Sequence, residues 1–280
     1  MGLVINTNVS AVNAQRNLNR TQGSLGTSLA RLSSGMRIVS AKDDAAGLAI
    51  SENLRAQIRG LAQSERNAND GISMVQTAEG ALNEVSGALI RMRELAVQAS
   101  TGTVGTTERG YINAEFQDLI SEIDRIAAVT EFNGTKLLNG DSSAGVDFQV
   151  GLHNTTSDRI TASITDMGSD QLGTDSNKLN GAIVTTAALA QSSLAVIDAA
   201  IEDISGARGD LGAVQNRLSI TVNNLATQRE NVSAANSRIR DVDVASETVN
   251  MTRSQILMQA GVAVLAQANQ LPSMALSLIG

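Results

Sequence analysis

Residues 54–96 read LRAQIRGLAQSERNANDGISMVQTAEGALNEVSGALIRMRELA, and apolar residues recur in this stretch at a spacing of seven. The positions in this series are Leu54, Leu61, Ala68, Val75, Leu82, Leu89 and Ala96. Ile58 and Ile72 stand at a companion position of the same spacing, which Glu65 and Glu79 interrupt. Seven residues make nearly two turns of an α-helix, so these side chains share one face. The stretch predicts one helix of about 55 residues, far longer than the average globular helix.

A second stretch in the C-terminal half of the chain has the same spacing. Its series is Ile197, Ile204, Leu211, Leu218, Leu225, Val232 and Ile239, beside a companion position that is half polar. An apolar edge next to a half-polar one is typical of a long helix that packs lengthwise in a bundle. We expect the bundle core to contain Leu54, Leu61, Leu82, Leu89, Ile204, Leu211, Leu218 and Leu225.

Two shorter patterns complete the predicted fold. Apolar spacing over 112–126 predicts another helix, antiparallel to the first because only the Gly- and Thr-rich segment 101–107 separates them. Between 133 and 186 apolar and polar residues alternate, and the turn dipeptides Asn-Gly recur, which favours small β-hairpins. The predicted fold class is mainly α: a long antiparallel helical bundle with terminal coiled-coil helices and a small β-hairpin tip.

The patterns divide the chain into three expected regions. Residues 1–42 with 240–280 form a terminal coiled-coil domain, and residues 43–132 with 187–239 form the long-helix bundle. Residues 133–186 form the small β-hairpin region.

Both ends of the chain carry apolar patterns that we interpret as assembly seams. The residues are Leu18, Leu25, Leu29, Leu32, Val249, Ile256 and Leu271. We expect the two ends to pair as a coiled coil. Burial of so few apolar side chains does not offset the conformational entropy lost by both helices, so the ends are expected to become fully ordered when neighbouring copies cover them.

Composition excludes most kinds of chemistry. The chain has no Cys, one His and a net charge of -7, with three Phe, one Tyr and no Trp. Disulfide scaffolds, thiolate metal sites and cysteine nucleophiles are therefore excluded, and we expect no catalytic residues, metal or cofactor. An acidic chain with so few aromatic residues does not favour nucleic acid binding. The C-terminal apolar stretch is too polar to predict membrane insertion.

The acidic groups near the helix ends have a structural interpretation. Ser40 and Asp43 match a capping box before a helix that starts near Asp44. His153 lies in a turn-like segment.

Residues 1–12 lack a basic segment followed by an apolar one, so we expect no cleavable secretion signal.

Several motifs closely resemble bacterial flagellin. They are LSSGMRI at 32–38, SAKDDAAGLAI at 40–50, RELAVQ at 93–98, AANSRIRDVD at 234–243, QILMQAG at 255–261 and VLAQANQ at 264–270. The resemblance covers residues 1–140 and 190–280, while only a short β region stands in place of the large variable domains of many flagellins. It implies an extracellular subunit of the bacterial flagellum that is exported unfolded and polymerises into a helical tube for swimming motility.

The same resemblance implies partners. They are other copies of the chain, the flagellar export apparatus with an export chaperone, and the filament cap and junction proteins. A vertebrate Toll-like receptor is a further implied partner, through Arg91, Leu95 and Glu115, although Ile90 and Met92 depart from the usual Gln and Val. Packing between subunits is an equally good interpretation of these residues. A hook-filament junction protein is the main alternative function, ahead of an extracellular adhesin on a helical stalk and an enzyme.

Overall fold

The computed structural model describes residues 7–174 and 176–277, with side chains up to residue 270. The helices of this part of the chain are α1 (Val9–Ser34), α2 (Ala45–Ser100), α3 (Thr106–Val129), α4 (Ala187–Arg240) and α5 (Val244–Ser277). Short 3-10 turns lie at Thr156–Asp158 and Leu179–Gly181. The predicted mainly helical fold is confirmed, because each long heptad stretch forms one continuous helix.

Contacts group the chain into two compact units. One unit comprises residues 1–58 with 230–280, and the other comprises residues 59–229. Both boundaries fall inside the long helices α2 and α4 rather than in loops. The predicted division into 1–42 with 240–280, 43–132 with 187–239, and 133–186 stays a prediction.

The core of the 59–229 unit lies between α2, α3 and α4. Phe116 and Ile123 of α3 are fully buried in it, together with the apolar series of the two long helices. Arg91 of α2 bonds Glu115 of α3, and Arg109 near the start of α3 bonds the carbonyl of Ala99 near the end of α2. The predicted antiparallel arrangement of α2 and α3 is therefore confirmed.

The second buried stripe of α2 differs from the predicted companion position. It contains Ser64, Gly71, Ala78, Val85, Met92 and Ala99. Ile58 and Ile72 of the companion position are only half-buried, and Ile72 packs at the edge of the core. The reason is that this edge of α2 lies beside the polar edge of α4, where Glu65 contacts Arg229 at 2.7 Å and Glu79 contacts Arg208 at 3.9 Å.

Gly71 shows why a small residue is needed in that stripe. A Cβ at this position would lie 3.1 Å from the ring of Phe148 and 3.2 Å from a methyl of Leu218. The absence of a side chain lets the β region and α4 approach α2 closely. Phe148 thereby joins the core of the helical unit.

Two short antiparallel hairpins pack against the helices. In the first, β1 (Glu131–Phe132) and β2 (Thr135–Lys136) are joined by Asn133 and Gly134, with φ values of 50° and 80°. Positive φ at both central residues matches the tight hairpin turn predicted for this Asn-Gly pair. In the second, β3 (Val146–Gln149) pairs with β4 (Arg159–Ala162).

The hairpin prediction is wrong beyond residue 162. In the described part of 163–186 the only ladder contact is an isolated bridge between Gly173 and Lys178. Asn180 and Gly181 lie in a 3-10 turn instead of a hairpin. Leu179 and Val184 of this segment are fully buried, so the chain here closes the helical core rather than extending a sheet.

Candidate assembly surfaces

Helices α1 and α5 form an antiparallel pair in the terminal unit. Asn8 caps α1 by accepting the N–H of Ala11, and its side chain also donates to the carbonyl of Ala268 at 2.7 Å. At the other end of the pair, Arg31 lies 3.8 Å from Glu247. The predicted coiled-coil pairing of the two ends is therefore present within a single chain.

The contacting faces of this pair recur every three or four residues. The least exposed positions of α1 are Ala11, Ala14, Leu18, Thr21, Leu25, Ser28 and Leu32. Those of α5 are Glu247, Met251, Ser254, Met258, Gly261, Leu265 and Ala268. Both series have the 3–4 alternation of a coiled coil but few large apolar side chains, so the pair is weakly stabilised.

The predicted seam residues separate onto two different faces. Leu18, Leu25 and Leu32 are half-buried on the face of α1 that meets α5. Leu29 is 48% exposed. The side chain of Leu271 lies outside the described residues.

Val249 and Ile256 are 58% and 60% exposed and do not pack against α1, and their role as assembly seams stays a prediction. The physical reason is that α5 is apolar on more than one face. The face with Gly261 allows a closer approach, since a Cβ there would lie 3.2 Å from a methyl of Leu18. The branched side chains of α5 therefore remain on its outer side.

These outer side chains form an apolar surface, here called the α5 outer face. Its large exposed residues are Val244, Val249, Ile256 and Leu257, and Val262 and Val264 are exposed further along the helix. Val9, Val12 and Leu29 add further exposed apolar area on α1. Arg253 is the only charged residue after Glu247 in the sequence. A contiguous apolar surface with so little charge is typical of a site of protein association.

The predicted bundle core is almost entirely buried. Leu61, Leu82, Leu89, Ile204, Leu211, Leu218 and Leu225 are each at most 6% exposed. Leu54, which lies in the terminal unit, is only half-buried. The heptad series thus marks the α2–α4 contact from residue 61 onward.

The segment that follows α1 is hydrogen-bonded to the end of α4 and to the segment that links α4 to α5. Gly35 ends α1 with a φ of 70°, and its carbonyl accepts the N–H of Val242. The guanidinium of Arg37 donates to the carbonyl of Ile239 at 2.7 Å, at the end of α4. The N–H of Arg37 donates to the carbonyl of Arg240.

Arg240 extends this junction to α2. Its guanidinium donates to Ser51 and, at 2.6 Å, to Glu52. The bond from Arg240 is the main cause that lowers the pKa of Glu52, with Arg55 adding to it. Sequence reasoning missed Arg37 and Arg240, and the available signal was a pair of arginines beside short breaks in the helical pattern.

Helix α2 starts near Asp44 as predicted, but Asp44 caps it rather than the predicted capping box of Ser40 and Asp43. Asp44 accepts the N–H of Gly47 at 2.8 Å, which is the bond of an N-cap residue. Asp43 instead closes the preceding turn by accepting the N–H groups of Ser40 and Val39. The bond from the Ser40 backbone is the largest cause that lowers the pKa of Asp43.

The three residues implied in receptor binding are not equally accessible. Arg91 is exposed and bonds Glu94 and Glu115, and the bond to Glu115 is the largest cause that raises its pKa. Leu95 is 2% exposed and lies in the core. The chain therefore presents Arg91 and Glu115 to a partner but not Leu95, because Leu95 belongs to the buried face of α2.

Within the described residues, no group of three or more His, Asp or Glu side chains is arranged to hold a metal ion. His153 lies in the exposed loop between β3 and β4, where its backbone N–H donates to a carboxylate oxygen of Asp158. No described helix has a stretch long and apolar enough to span a bilayer. The arrangement as a whole offers surfaces for association.

Comparisons with known proteins agree with this architecture. The family model of the bacterial flagellin N-terminal helical region matches residues 5–143, and that of the C-terminal helical region matches residues 194–279. Flagellin of Halalkalibacterium halodurans is 48% identical over 279 residues, which cover 99% of this chain and 100% of that protein. Flagellin of Bacillus subtilis is 44% identical over 305 residues, covering 98% and 99%.

A solved structure agrees as well. The crystal structure of Bacillus cereus flagellin is 32% identical, with a TM-score of 0.50, and the match covers 61% of this chain and 94% of that one. Since both terminal family models match in order and together span most of the sequence, the chain belongs to the bacterial flagellin family.

Proposed function

We propose that this flagellin is the repeating structural subunit of a flagellar filament, and that the α5 outer face is covered by other copies in that filament. The observation that carries the proposal is the exposure of Val249 and Ile256, which line one apolar surface of α5 together with Val244 and Leu257. Flagellins are structural proteins, not enzymes. A surface for association is therefore the feature from which the function follows.

The apolar surface of the terminal pair favours copies of the same chain as its partners. The α1–α5 pair of one chain has two exposed apolar surfaces. One is the α5 outer face, and the other lies on α1 and contains Val9, Val12 and Leu29. When two different surfaces of identical subunits bind each other, each added subunit is rotated relative to the one before. If these rotations do not lead back to the first subunit, the result is an open helical fibre. Relatives of this chain are named flagellin, and one from Treponema phagedenis is named a flagellar filament core protein.

The finer parts of the proposal concern delivery and location. The filament lies outside the cell, and the chain reaches it unfolded through the flagellar export apparatus with the help of an export chaperone. The absence of Cys supports such a route, since no disulfide can form before or during passage. The filament cap and junction proteins then contact the subunits at the two ends. Arg91 and Glu115 are the exposed candidates for contact with a vertebrate Toll-like receptor.

The test replaces two residues of the α5 outer face. Val249→Gln with Ile256→Gln removes exposed apolar area, so the monomer keeps its helical content and thermal stability. The critical concentration for salt-induced polymerisation rises by about tenfold or more, because each copy loses apolar burial only in the filament. Circular dichroism checks the monomer, and sedimentation with negative-stain microscopy measures polymer.

A matched control lies on the opposite side of the same helix. Met258→Gln alters the face that meets α1, so it lowers the stability of the terminal pair in the monomer itself. Normal polymerisation of the Val249→Gln, Ile256→Gln variant would contradict the proposal. Long uniform filaments of the wild-type chain distinguish a filament subunit from a junction protein, which forms none.

A further inference from the structure

A cleft of about 500 Å³ lies in the 59–229 unit, between α4, α2 and the loop that joins β3 to β4. Leu61 and Leu225 are buried along it, whereas Ile220 is 68% exposed on its wall. Arg217 also lines the cleft and has no acidic partner among the described residues. The acid of the cleft, Asp158, is already bonded by groups of its own loop. The cleft thus combines an apolar wall with an unpaired positive charge.

A complementary patch lies where α2 ends and α3 begins. Tyr111, the single tyrosine of the chain, is 74% exposed, and Ile90 and Val97 near the end of α2 are 53% and 47% exposed. Glu108 lies one helical turn before Tyr111, is exposed, and has no basic partner in the described part of the chain. Tyrosine is a common anchor of protein interfaces.

The patch and the cleft cannot meet within one chain. Leu61 at the cleft and Val97 at the patch both belong to α2 and are 36 residues apart. At 1.5 Å per residue, the helix holds them about 54 Å apart. Each copy therefore carries the patch at one end of the unit and the cleft at the other, and repeating that contact builds an open row of copies.

We propose that Tyr111 of one copy docks in the cleft of the next copy, with Glu108 of the first copy paired to Arg217 of the second. This inference rests on the proposed function, since it assigns a contact between neighbouring copies of the polymer. A second copy is the favoured occupant because the two surfaces match in three respects. The apolar Tyr111 meets the exposed Ile220, the unpaired charges are opposite in sign, and the cleft volume exceeds that of one tyrosine side chain.

Tyrosine fluorescence tests the contact in the full-length chain. The chain has one Tyr and no Trp, so its intrinsic fluorescence reports on Tyr111 alone. In the monomer, acrylamide quenches Tyr111 efficiently because the ring is exposed. In filaments, the quenching constant falls severalfold because the ring lies in the neighbouring cleft. Microscopy of the same filaments gives an axial repeat along each row of about 54 Å.

Charge reversal gives an independent readout. Glu108→Arg or Arg217→Glu alone raises the critical concentration by about tenfold, because like charges then face each other across the contact. The double variant with both reversals polymerises nearly as well as the wild-type chain, since the pair is restored in opposite order. Both side chains are exposed in the monomer, so its circular dichroism spectrum does not change.

The outcomes separate this inference from the proposed function. Filaments in which Tyr111 remains as accessible as in the monomer overturn the contact while leaving the filament subunit intact. The same holds if the double reversal is no better than either single reversal. A wild-type chain that forms no filaments under any polymerising condition overturns the proposed function and the contact together.

Discussion

A single carboxylate sets the point at which the longest helix begins. Asp44 accepts the N–H of Gly47, and a Cβ on Gly47 would lie 2.5 Å from Oδ2 of Asp44 and 2.7 Å from a methyl of the buried Ile38, so a larger residue would require these side chains to shift. The turn closed by Asp43 and the cap supplied by Asp44 are therefore adjacent but distinct. Together they bring the connection after α1 to a defined start of α2.

We predict that Asp44→Ala lowers the free energy of unfolding by about 1 kcal/mol, because α2 loses its N-terminal side-chain cap. Asp44→Asn is the matched control and keeps nearly the wild-type value, since the Asn side chain caps a helix equally well. Urea unfolding followed by circular dichroism measures both. Equal stability of the Ala and Asn variants would mean that the bond to Gly47 contributes nothing.

At the scale of elements, the paired helices α1 and α5 differ in kind from the α2–α4 bundle. The most buried positions of the pair include Ser28, Glu247 and Ser254, which supply little apolar burial. The bundle instead buries Leu, Val, Met and Phe side chains at consecutive heptad positions. Local opening of a helix costs less free energy where fewer apolar contacts must be broken.

Amide hydrogen exchange is expected to reveal this difference. In the monomer, amides of 9–34 and 244–270 exchange faster than those of 61–99, because the terminal pair opens more easily. In filaments, exchange of the terminal segments slows by about tenfold or more, because neighbouring copies bind the closed form. Terminal amides in the monomer that are protected as strongly as the bundle would contradict this expectation.

The elements differ in how far the sequence alone predicts them. The bundle core follows from the heptad series, because one face of α2 and one of α4 are buried along their whole contact. The face of α5 that meets α1 does not follow, because its apolar residues surround the helix and a close approach at Gly261 decides between faces. Arg37 and Arg240 are about 200 residues apart in sequence, so no local pattern links them.

The candidate surfaces show the same limit at the scale of the residue. Val249 and Ile256 were correctly singled out as apolar, but only the structure places them on the outer side of the pair. Leu95 lies four residues after the exposed Arg91, yet it is on the buried side of α2. Periodicity identifies which residues share a face, and the packing of the partner helix determines which face is covered.

At the scale of the whole molecule, the two ends of the chain supply most of the large exposed apolar side chains of the described residues. The 59–229 unit has a core built from its own helices, α2, α3 and α4. The terminal helices contribute little to that core and carry the most extensive exposed apolar surface. Folding of the bundle is therefore expected to proceed without the terminal segments, whereas assembly of the filament requires them in addition to contacts between bundles.

A chain trimmed to residues 45–240 separates the two properties. It lacks α1 and α5, so it should retain a cooperative thermal transition close to that of the bundle in the full chain, since the core residues are all present. It should form no filaments at concentrations well above the critical concentration of the full chain, because the α5 outer face is absent. Circular dichroism and negative-stain microscopy measure the two properties on one sample. Normal tubes built by the trimmed chain would show that the terminal apolar surfaces are not what joins the copies.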